Sequence, residues 1–95
     1  SIIDYLPDTV EDLEFGYFFN LELCNLPSSI KKITFAVDGG YNKELNCLPN
    51  GLLILRLPEI YDLQICSIPP ALTKLICSAD YPFKCDFAGV EVETY

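Results

Sequence analysis

Apolar residues recur along this chain in units of 20 to 22 residues. Each unit opens with a leucine or isoleucine followed by proline, at Leu6-Pro7, Leu26-Pro27, Leu48-Pro49 and Ile68-Pro69. The same three offsets after each dipeptide are apolar: Val10, Leu13 and Phe15; Ile30, Ile33 and Phe35; Leu52, Leu55 and Leu57; Leu72, Leu75 and Cys77. Self-similarity at this spacing is typical of a solenoid, in which each unit packs against the next.

The last two apolar positions of each unit enclose one variable residue, as in Leu13-Glu14-Phe15. This alternation predicts a short strand that is buried on one face. Such a strand is too short to be stable alone, so we expect four of them to stack as a parallel sheet with a spacing of about 4.8 Å. Proline, which has a fixed φ and no N–H donor, suits the bend that opens each unit.

The repeat continues beyond the predicted strand. An aromatic column, a mostly polar column and a further apolar column follow in order: Phe19, Tyr41, Tyr61 and Tyr81; Asn20, Asn42, Asp62 and Pro82; Leu23, Leu45, Ile65 and Cys85. The second unit is two residues longer, and Asp38-Gly39-Gly40 is the natural place for the insertion. Asn and Asp side chains after the aromatic residue can bond backbone groups in a tight coil.

These patterns predict a mainly β fold: a short leucine-rich-repeat-like solenoid with a parallel sheet on one face and little or no α-helix. The predicted division is a lead-in at 1–5, four repeats at 6–25, 26–47, 48–67 and 68–87, and a C-terminal tail or cap at 88–95. Phe83, Phe87 and Val90 are expected to cap the last repeat.

The first two units, LPDTVEDLEFGYFFNLEL and LPSSIKKITFAVDGGYNKEL, resemble the FNIP repeat, whose pattern is roughly LPxSLxxLxFGxxFNxPL. The third unit has Tyr61-Asp62 where the pattern has Phe-Asn, and the fourth has Tyr81-Pro82 and so lacks the Asn. All four units lack the proline that often follows the Asn.

The resemblance implies a protein-binding solenoid of a kind common in social amoebae and their giant DNA viruses, often behind an F-box that recruits a ubiquitin ligase. We therefore expect a non-enzymatic interaction module within a longer repeat protein, such as a substrate adaptor. The alternative is a structural component packed permanently in an assembly such as a virus particle. The partner is another protein or a neighbouring subunit, inside a cell or a virion.

The open face of the predicted sheet is the expected binding face. Its central column and the column before it contain the candidate binding residues Glu14, Thr34, Arg56 and Ile76, and Asp12, Lys32, Ile54 and Lys74. The column after the strands contains Gly16, Ala36, Pro58 and Ser78. Asp12 beside Lys32 is either part of a partner site or a solvated cross-strand pair. Ile54 and Ile76, near Leu53, form either an exposed partner patch or a surface covered by sequence missing from this chain or by a C-terminal fold-back of Val90 and Val92.

Composition excludes several functions. The net charge is −8, with 14 acidic and 6 basic residues, which disfavours a nucleic-acid partner. The chain has no His, no clustered acid pair and no phosphate-binding loop, so neither an enzyme, a cofactor nor a small-molecule substrate is predicted. No apolar run is long enough to span a bilayer, and no signal peptide is recognised.

The five cysteines are scattered without a CxxC motif, so neither a metal site nor a secreted disulfide framework is predicted. Cys77 and Cys85 are expected in the core, where cysteine behaves as a small hydrophobic residue. Cys24, Cys47 and Cys66 are expected to form a buried, reduced column at one edge of the coil. Reduced cysteines fit an intracellular protein that is not secreted.

Overall fold

The computed structural model describes residues 7–23 and 26–95, which form a mainly β solenoid of about four turns. Five parallel strands lie side by side in chain order: β1 Asp12–Phe15, β2 Lys32–Phe35, β3 Ile54–Arg56, β4 Lys74–Cys77 and β5 Glu91–Thr94. In this described part, the helical structure is a 3₁₀ turn at Lys84–Asp86. The expected mainly β solenoid with a parallel sheet is therefore confirmed. The expectations for residues 1–5, Leu6 and Cys24 lie outside the described residues.

The strand register is the one that the repeat predicts. Glu14 lies beside Thr34, Thr34 beside Arg56, and Arg56 beside Ile76. The preceding column pairs Asp12 with Lys32 and continues through Ile54 to Lys74 in the same way. Register is this well determined because a slip of one residue would turn every apolar strand residue out of the core.

In each of the four repeats one β-turn precedes the strand and another follows it, and the proline column lies at the start of the first turn. In each of the four repeats the carbonyl oxygen of the proline accepts a hydrogen bond from the backbone N–H three residues later, as from Ile30 to Pro27 at 3.3 Å. After the strand, a second turn leads to the aromatic column, as from Tyr61 N–H to the Pro58 carbonyl at 3.1 Å. The chain therefore bends at both ends of each strand and begins the next layer.

The core lies inside the coil and is built from the repeated apolar columns. Ile33, Leu55 and Leu75 of adjacent strands have no exposed surface, and Ile30 and Leu52 are equally buried. Each such side chain contributes about 1.5–3 kcal/mol on burial. The first layer is less enclosed, since Leu13 and Phe15 are only half-buried while Ile33 and Phe35 of the second layer are buried.

The aromatic column forms a row of neighbouring rings, stacked from Phe19 to Tyr61 and tilted by 40° between Tyr61 and Tyr81. The ring centroids of Phe19 and Tyr41 are 5.7 Å apart, those of Tyr41 and Tyr61 are 6.2 Å apart, and those of Tyr61 and Tyr81 are 6.1 Å apart. The Tyr61 hydroxyl donates to the Lys43 carbonyl at 2.9 Å, and the Tyr81 hydroxyl donates to the Leu63 carbonyl at 2.7 Å. These bonds satisfy the hydroxyl group of each buried tyrosine. They also connect each layer to the preceding layer.

The two extra residues of the second unit lie at the predicted insertion. There the second turn ends at Gly39, whose N–H donates to the Ala36 carbonyl at 3.0 Å, and Tyr41 follows two residues later. In the third and fourth units no extra residues separate the turn from the aromatic residue, and the turns end at Tyr61 and Tyr81 themselves. After the insertion the layers are again tied together, since the Asn42 N–H donates to Oδ1 of Asn20 at 3.1 Å.

The segment 88–95, expected as a tail or cap, contains the fifth strand. Leu75 pairs with Val92 in the register, so Val92 continues the core-facing column and packs against the core. Val90 and Val92 both pack against the core, so the alternative in which they cover Ile54 and Ile76 on the open face does not hold. Phe87 is buried, and its carbonyl oxygen accepts a bond from Val90 N–H, as the prolines do in the earlier units. Phe87 therefore occupies a core position and also the turn position that proline occupies in the earlier units. The last layer is shorter as a result.

Three of the expectations for cysteines need correction. Cys77 is fully buried as expected, but Cys85 is exposed on the 3₁₀ turn, and Phe87 provides the buried residue of this segment. Cys47 and Cys66 are exposed, so the buried column is wrong for both. Both cysteines lie on the outside of the coil, just before the Leu-Pro or Ile-Pro dipeptide of the next unit. The core position is taken by Leu45, two residues before Cys47, and by Ile65, one residue before Cys66.

Candidate functional site

The central column of the open sheet face forms one wall of a shallow groove. Glu14, Thr34 and Arg56, from three adjacent strands, all line this groove, which has a volume of about 380 Å³. Side chains alternate between the faces of a strand. Leu13, Ile33 and Leu55 face the core, so Glu14, Thr34 and Arg56, which follow them, point to the opposite, outer face. The structure therefore brings together three of the residues that the repeat pattern selected.

Small residues allow this groove to exist. Gly16 and Ala36, which immediately follow β1 and β2, line it, and Val37 and Asp38 of the next turn form its other side. A large side chain in the Gly16 and Ala36 column would fill the space beside Glu14 and Thr34. The groove is therefore open to an extended segment but has no deep, enclosed chamber for a small molecule.

Arg56 is the cation of the groove, and Tyr95 positions it. The guanidinium carbon lies 5.8 Å from the centroid of the Tyr95 ring, within cation–π range. Its Nε is buried and has no hydrogen-bond partner, and no carboxylate of the described chain forms an ion pair with it. The rest of the guanidinium group can therefore pair with a carboxylate that another molecule supplies.

Burial raises the pKa of the Tyr95 hydroxyl to about 12, with the neighbouring Cys77 as a second cause, while Arg56 opposes the shift. The hydroxyl donates to the Leu57 carbonyl oxygen at 2.6 Å, so the tyrosine stays protonated and bonded at neutral pH. Burial also raises the pKa of Cys77, and the pKa values of Tyr61 and Tyr81. The three tyrosine hydroxyls donate hydrogen bonds to backbone carbonyl oxygens, and the Cys77 side chain lies in the core.

The column before the groove carries charges that are mostly solvated. Asp12, Lys32, Glu14 and Thr34 surround a smaller depression of about 140 Å³. Asp12 is the register neighbour of Lys32, yet in the described part of the chain the ion pairs are those of Lys74, with Glu91 at 3.6 Å and Glu93 at 3.3 Å. Lys74 therefore pairs with two carboxylates of β5, the neighbouring strand.

The two isoleucines of the face do not form a simple exposed pair. Ile54 is the register neighbour of Lys74, and Ile76 is the register neighbour of Arg56, so the isoleucines lie diagonally across two columns. Both are half-buried, and the adjacent Leu53 is 38% exposed. They lie outside the set of residues that line the groove.

A second cleft, which the sequence analysis did not select, lies next to the groove on the turns that follow the strands. Tyr17 and Phe18 of the first unit, Asp38, Gly39 and Gly40 of the second, and Ile60 of the third line it. Its volume is about 440 Å³, and Asp38 also lines the groove. We call this second cleft the turn cleft.

The turn cleft exposes large apolar side chains. Phe18 is 92% exposed, Ile60 is 62% exposed and Tyr17 is 54% exposed. The sequence contained the signal for this: Tyr17 and Phe18 are the two central residues of the turn closed by Phe19 N–H and the Gly16 carbonyl, so they cannot both point into the core. The repeat pattern drew attention to Phe19 and left its two neighbours without a role.

Comparison of the chain with protein-family models, with curated proteins and with solved structures finds no match. The class is therefore defined by the fold itself, as a mainly β solenoid with an open parallel sheet. Across residues 7–23 and 26–95, no helix is long and apolar enough to cross a membrane. In the same part of the chain, no group of three His, Cys, Asp or Glu residues is placed to hold a metal ion.

Proposed function

We propose that this chain is a non-enzymatic protein-interaction module that binds an extended segment of another protein along the groove of its sheet face. One observation carries the proposal: Glu14, Thr34 and Arg56 come from three different repeats and line one open groove. Solenoids commonly use an extended surface built from equivalent positions of successive repeats as the binding surface. The proposal includes no catalytic residue, no cofactor and no nucleic-acid or membrane partner.

The charged residues of the groove favour a partner segment whose own charges are arranged in a complementary order. Glu14 lies on β1 and Arg56 on β3, with one strand between them, and Asp38 of the second unit also lines the groove. A bound segment would place a basic side chain near the two carboxylates and an acidic side chain on the guanidinium group. Charge pairs at such a partly solvated surface contribute to specificity and association rate, and they weaken with added salt.

The resemblance of the repeats to the FNIP pattern supports a finer proposal, an adaptor arm that presents a client protein to a ubiquitin ligase. In this arrangement the solenoid recognises the client and another part of a longer protein recruits the ligase. The leucine-rich-repeat-like spacing of 20 to 22 residues is consistent with this role. The free Cys66 and Cys85, both exposed, are in keeping with a reducing, intracellular location.

Peptide selection tests the groove directly. Peptides selected from a random library on the wild-type chain should lose binding to the Thr34→Arg variant, which adds a long side chain to the centre of the groove. The matched control is Asn50→Arg, which makes the same charge change on an exposed turn away from the groove. Equal retention of binding by both variants would contradict the proposed site.

A second candidate function, a structural element packed permanently in an assembly, is supported by the first layer of the coil. Among the described residues, Leu13 and Phe15 are half-buried where their counterparts Ile33 and Phe35 are buried, and such partly exposed apolar side chains can pack against a neighbour. Light scattering combined with thermal unfolding separates the two functions. A monomer with a cooperative transition supports the interaction module, whereas stable folding only in an assembly supports the structural element.

A further inference from the structure

We propose that the turn cleft binds a cationic side chain of a partner protein, with arginine as the preferred residue. This inference goes beyond the groove, because the cleft lies on the turns and shares only Asp38 with it. Three features of the cleft carry the argument: exposed aromatic rings, a carboxylate that pairs with no cation of the described residues, and the two glycines of the insertion.

The aromatic rings offer a surface suited to a cation. The Tyr17 and Phe18 ring centroids are 4.9 Å apart and the rings are nearly perpendicular, with an interplanar angle of 76°. Phe18 is almost entirely exposed, and Tyr17 is about half exposed. The face of an aromatic ring carries negative potential and attracts an ammonium or guanidinium group that lies against it.

Asp38 supplies the charge that selects a cation over a neutral apolar group. It is exposed, it lines the cleft, and no lysine or arginine of the described residues forms an ion pair with it. A guanidinium group is planar, so it can stack on an aromatic ring and at the same time donate two hydrogen bonds to a carboxylate. Lysine can make the charge contact but not the planar stack.

The two-residue insertion builds this cleft at one place in the solenoid. A Cβ atom on Gly39 would lie 3.2 Å from the Ala36 carbonyl oxygen and 3.3 Å from the Tyr17 carbonyl oxygen. The absence of a side chain therefore lets the second turn pack directly on the first, beside Tyr17. The third and fourth units lack the insertion, and their turns end directly at Tyr61 and Tyr81.

A titration followed by NMR tests the proposal with a defined probe. Nα-acetyl-arginine methylamide should shift the amide resonances of Phe18, Gly39 and Gly40 in a saturable manner, with an affinity in the millimolar range expected of one side chain. The matched probe is Nα-acetyl-citrulline methylamide, which has almost the same shape without the charge, and it should cause no saturable shift. The readout uses the cleft alone, so it is independent of whether any peptide binds the groove.

Two variants separate a cation–π site from a general apolar site. Phe18→Leu keeps an apolar side chain but removes the ring, and it should weaken arginine-probe binding by about two- to fivefold. Leu21→Ala, at another exposed apolar residue outside the cleft, should leave binding unchanged. Equal shifts by the citrulline probe, full binding by Phe18→Leu, or no shift with either probe would each overturn the proposal.

Discussion

The Tyr95 hydroxyl donates a hydrogen bond to the carbonyl oxygen of Leu57, 2.6 Å away and 38 residues earlier in the chain. This bond joins the residue after β5 to the end of β3, and so passes over the position of β4 in the sheet. The backbone N–H of Tyr95 also donates to the Cys77 carbonyl oxygen of β4 at 3.2 Å. One tyrosine therefore fastens the last strand to two earlier strands and places its ring beside Arg56.

Replacing Tyr95 by phenylalanine should lower the free energy of unfolding by about 1 kcal/mol, because the hydrogen bond to Leu57 is lost while the ring remains. For a chain of this length, the midpoint of thermal unfolding should fall by roughly 4–8 °C. Tyr17→Phe is the control, since the Tyr17 side chain is exposed and no hydrogen bond of its hydroxyl is seen. An equal effect of the two substitutions on the unfolding midpoint would show that the Tyr95–Leu57 bond contributes nothing.

Leu55 is the central residue of the core column, and Leu55→Ala should lower the free energy of unfolding by about 2–5 kcal/mol. The cost combines lost apolar burial with a cavity between the neighbouring Ile33 and Leu75. Leu53→Ala makes the same chemical change two residues earlier, at a position that is 38% exposed. Urea unfolding should show a much smaller loss for Leu53→Ala, and similar losses for the two variants would contradict the assigned core face.

Gly39→Ala should destabilise the protein by about 1 kcal/mol, because the added methyl group would meet two backbone carbonyl oxygens that cannot move freely. Gly40→Ala is the neighbouring control, since a Cβ atom there meets nothing within 4 Å. Thermal unfolding of the two variants checks this difference. If Gly39→Ala unfolds at the same temperature as Gly40→Ala, the tight packing of the second turn on Tyr17 is wrong.

The stability of the protein should fall at alkaline pH. Burial raises the pKa values of Tyr61, Tyr81 and Tyr95 above the ordinary 10.0, and that of Tyr95 to about 12. The unfolded chain therefore loses these protons first, so their contribution is fully present below about pH 10 and is lost as the pH rises towards 12 and beyond. Urea midpoints measured from about pH 7 to about pH 11 should begin to fall near pH 9, because burial also raises the pKa of Cys77, and should fall more steeply above about pH 10.

The variant Tyr81→Phe serves as a control for this pH dependence. It removes one titrating hydroxyl together with its bond to Leu63, so the variant should be less stable at neutral pH but lose less stability on going to high pH. A wild-type and a variant curve that stay parallel across the alkaline range would show that ionisation of Tyr81 is not linked to unfolding.

Thiol labelling should distinguish the buried cysteine from exposed ones. Cys77 is buried and its pKa is raised, so it has little reactive thiolate and no access to reagent in the folded protein. Cys66 and Cys85 are exposed and should react with iodoacetamide at the rate of an unfolded control. Peptide mapping by mass spectrometry gives each rate, and rapid modification of Cys77 would indicate that β5 does not stay docked on β4.

Much of the fold could be predicted from the sequence because each repeat has the same pattern of proline and apolar positions. The alternation at Leu13-Glu14-Phe15 and its equivalents determined the strands, and the spacing of the prolines determined which residues lie side by side. The three groove residues Glu14, Thr34 and Arg56 followed from that register. The insertion at Asp38-Gly39-Gly40 was also visible, because it is the one place where the period is two residues longer.

The tertiary structure alone decided the features that break the repeat. The fifth strand has no Leu-Pro step before it, and it forms because Phe87 provides both a core side chain and a turn acceptor for Val90. The exposure of Cys66 and Cys85, the contact of Tyr95 with Arg56, and the turn cleft around Tyr17 and Phe18 depend on how successive layers meet in space. Periodicity specifies which residues are equivalent, whereas contacts at an insertion or at the end of the sheet depend on packing between residues that are not equivalent.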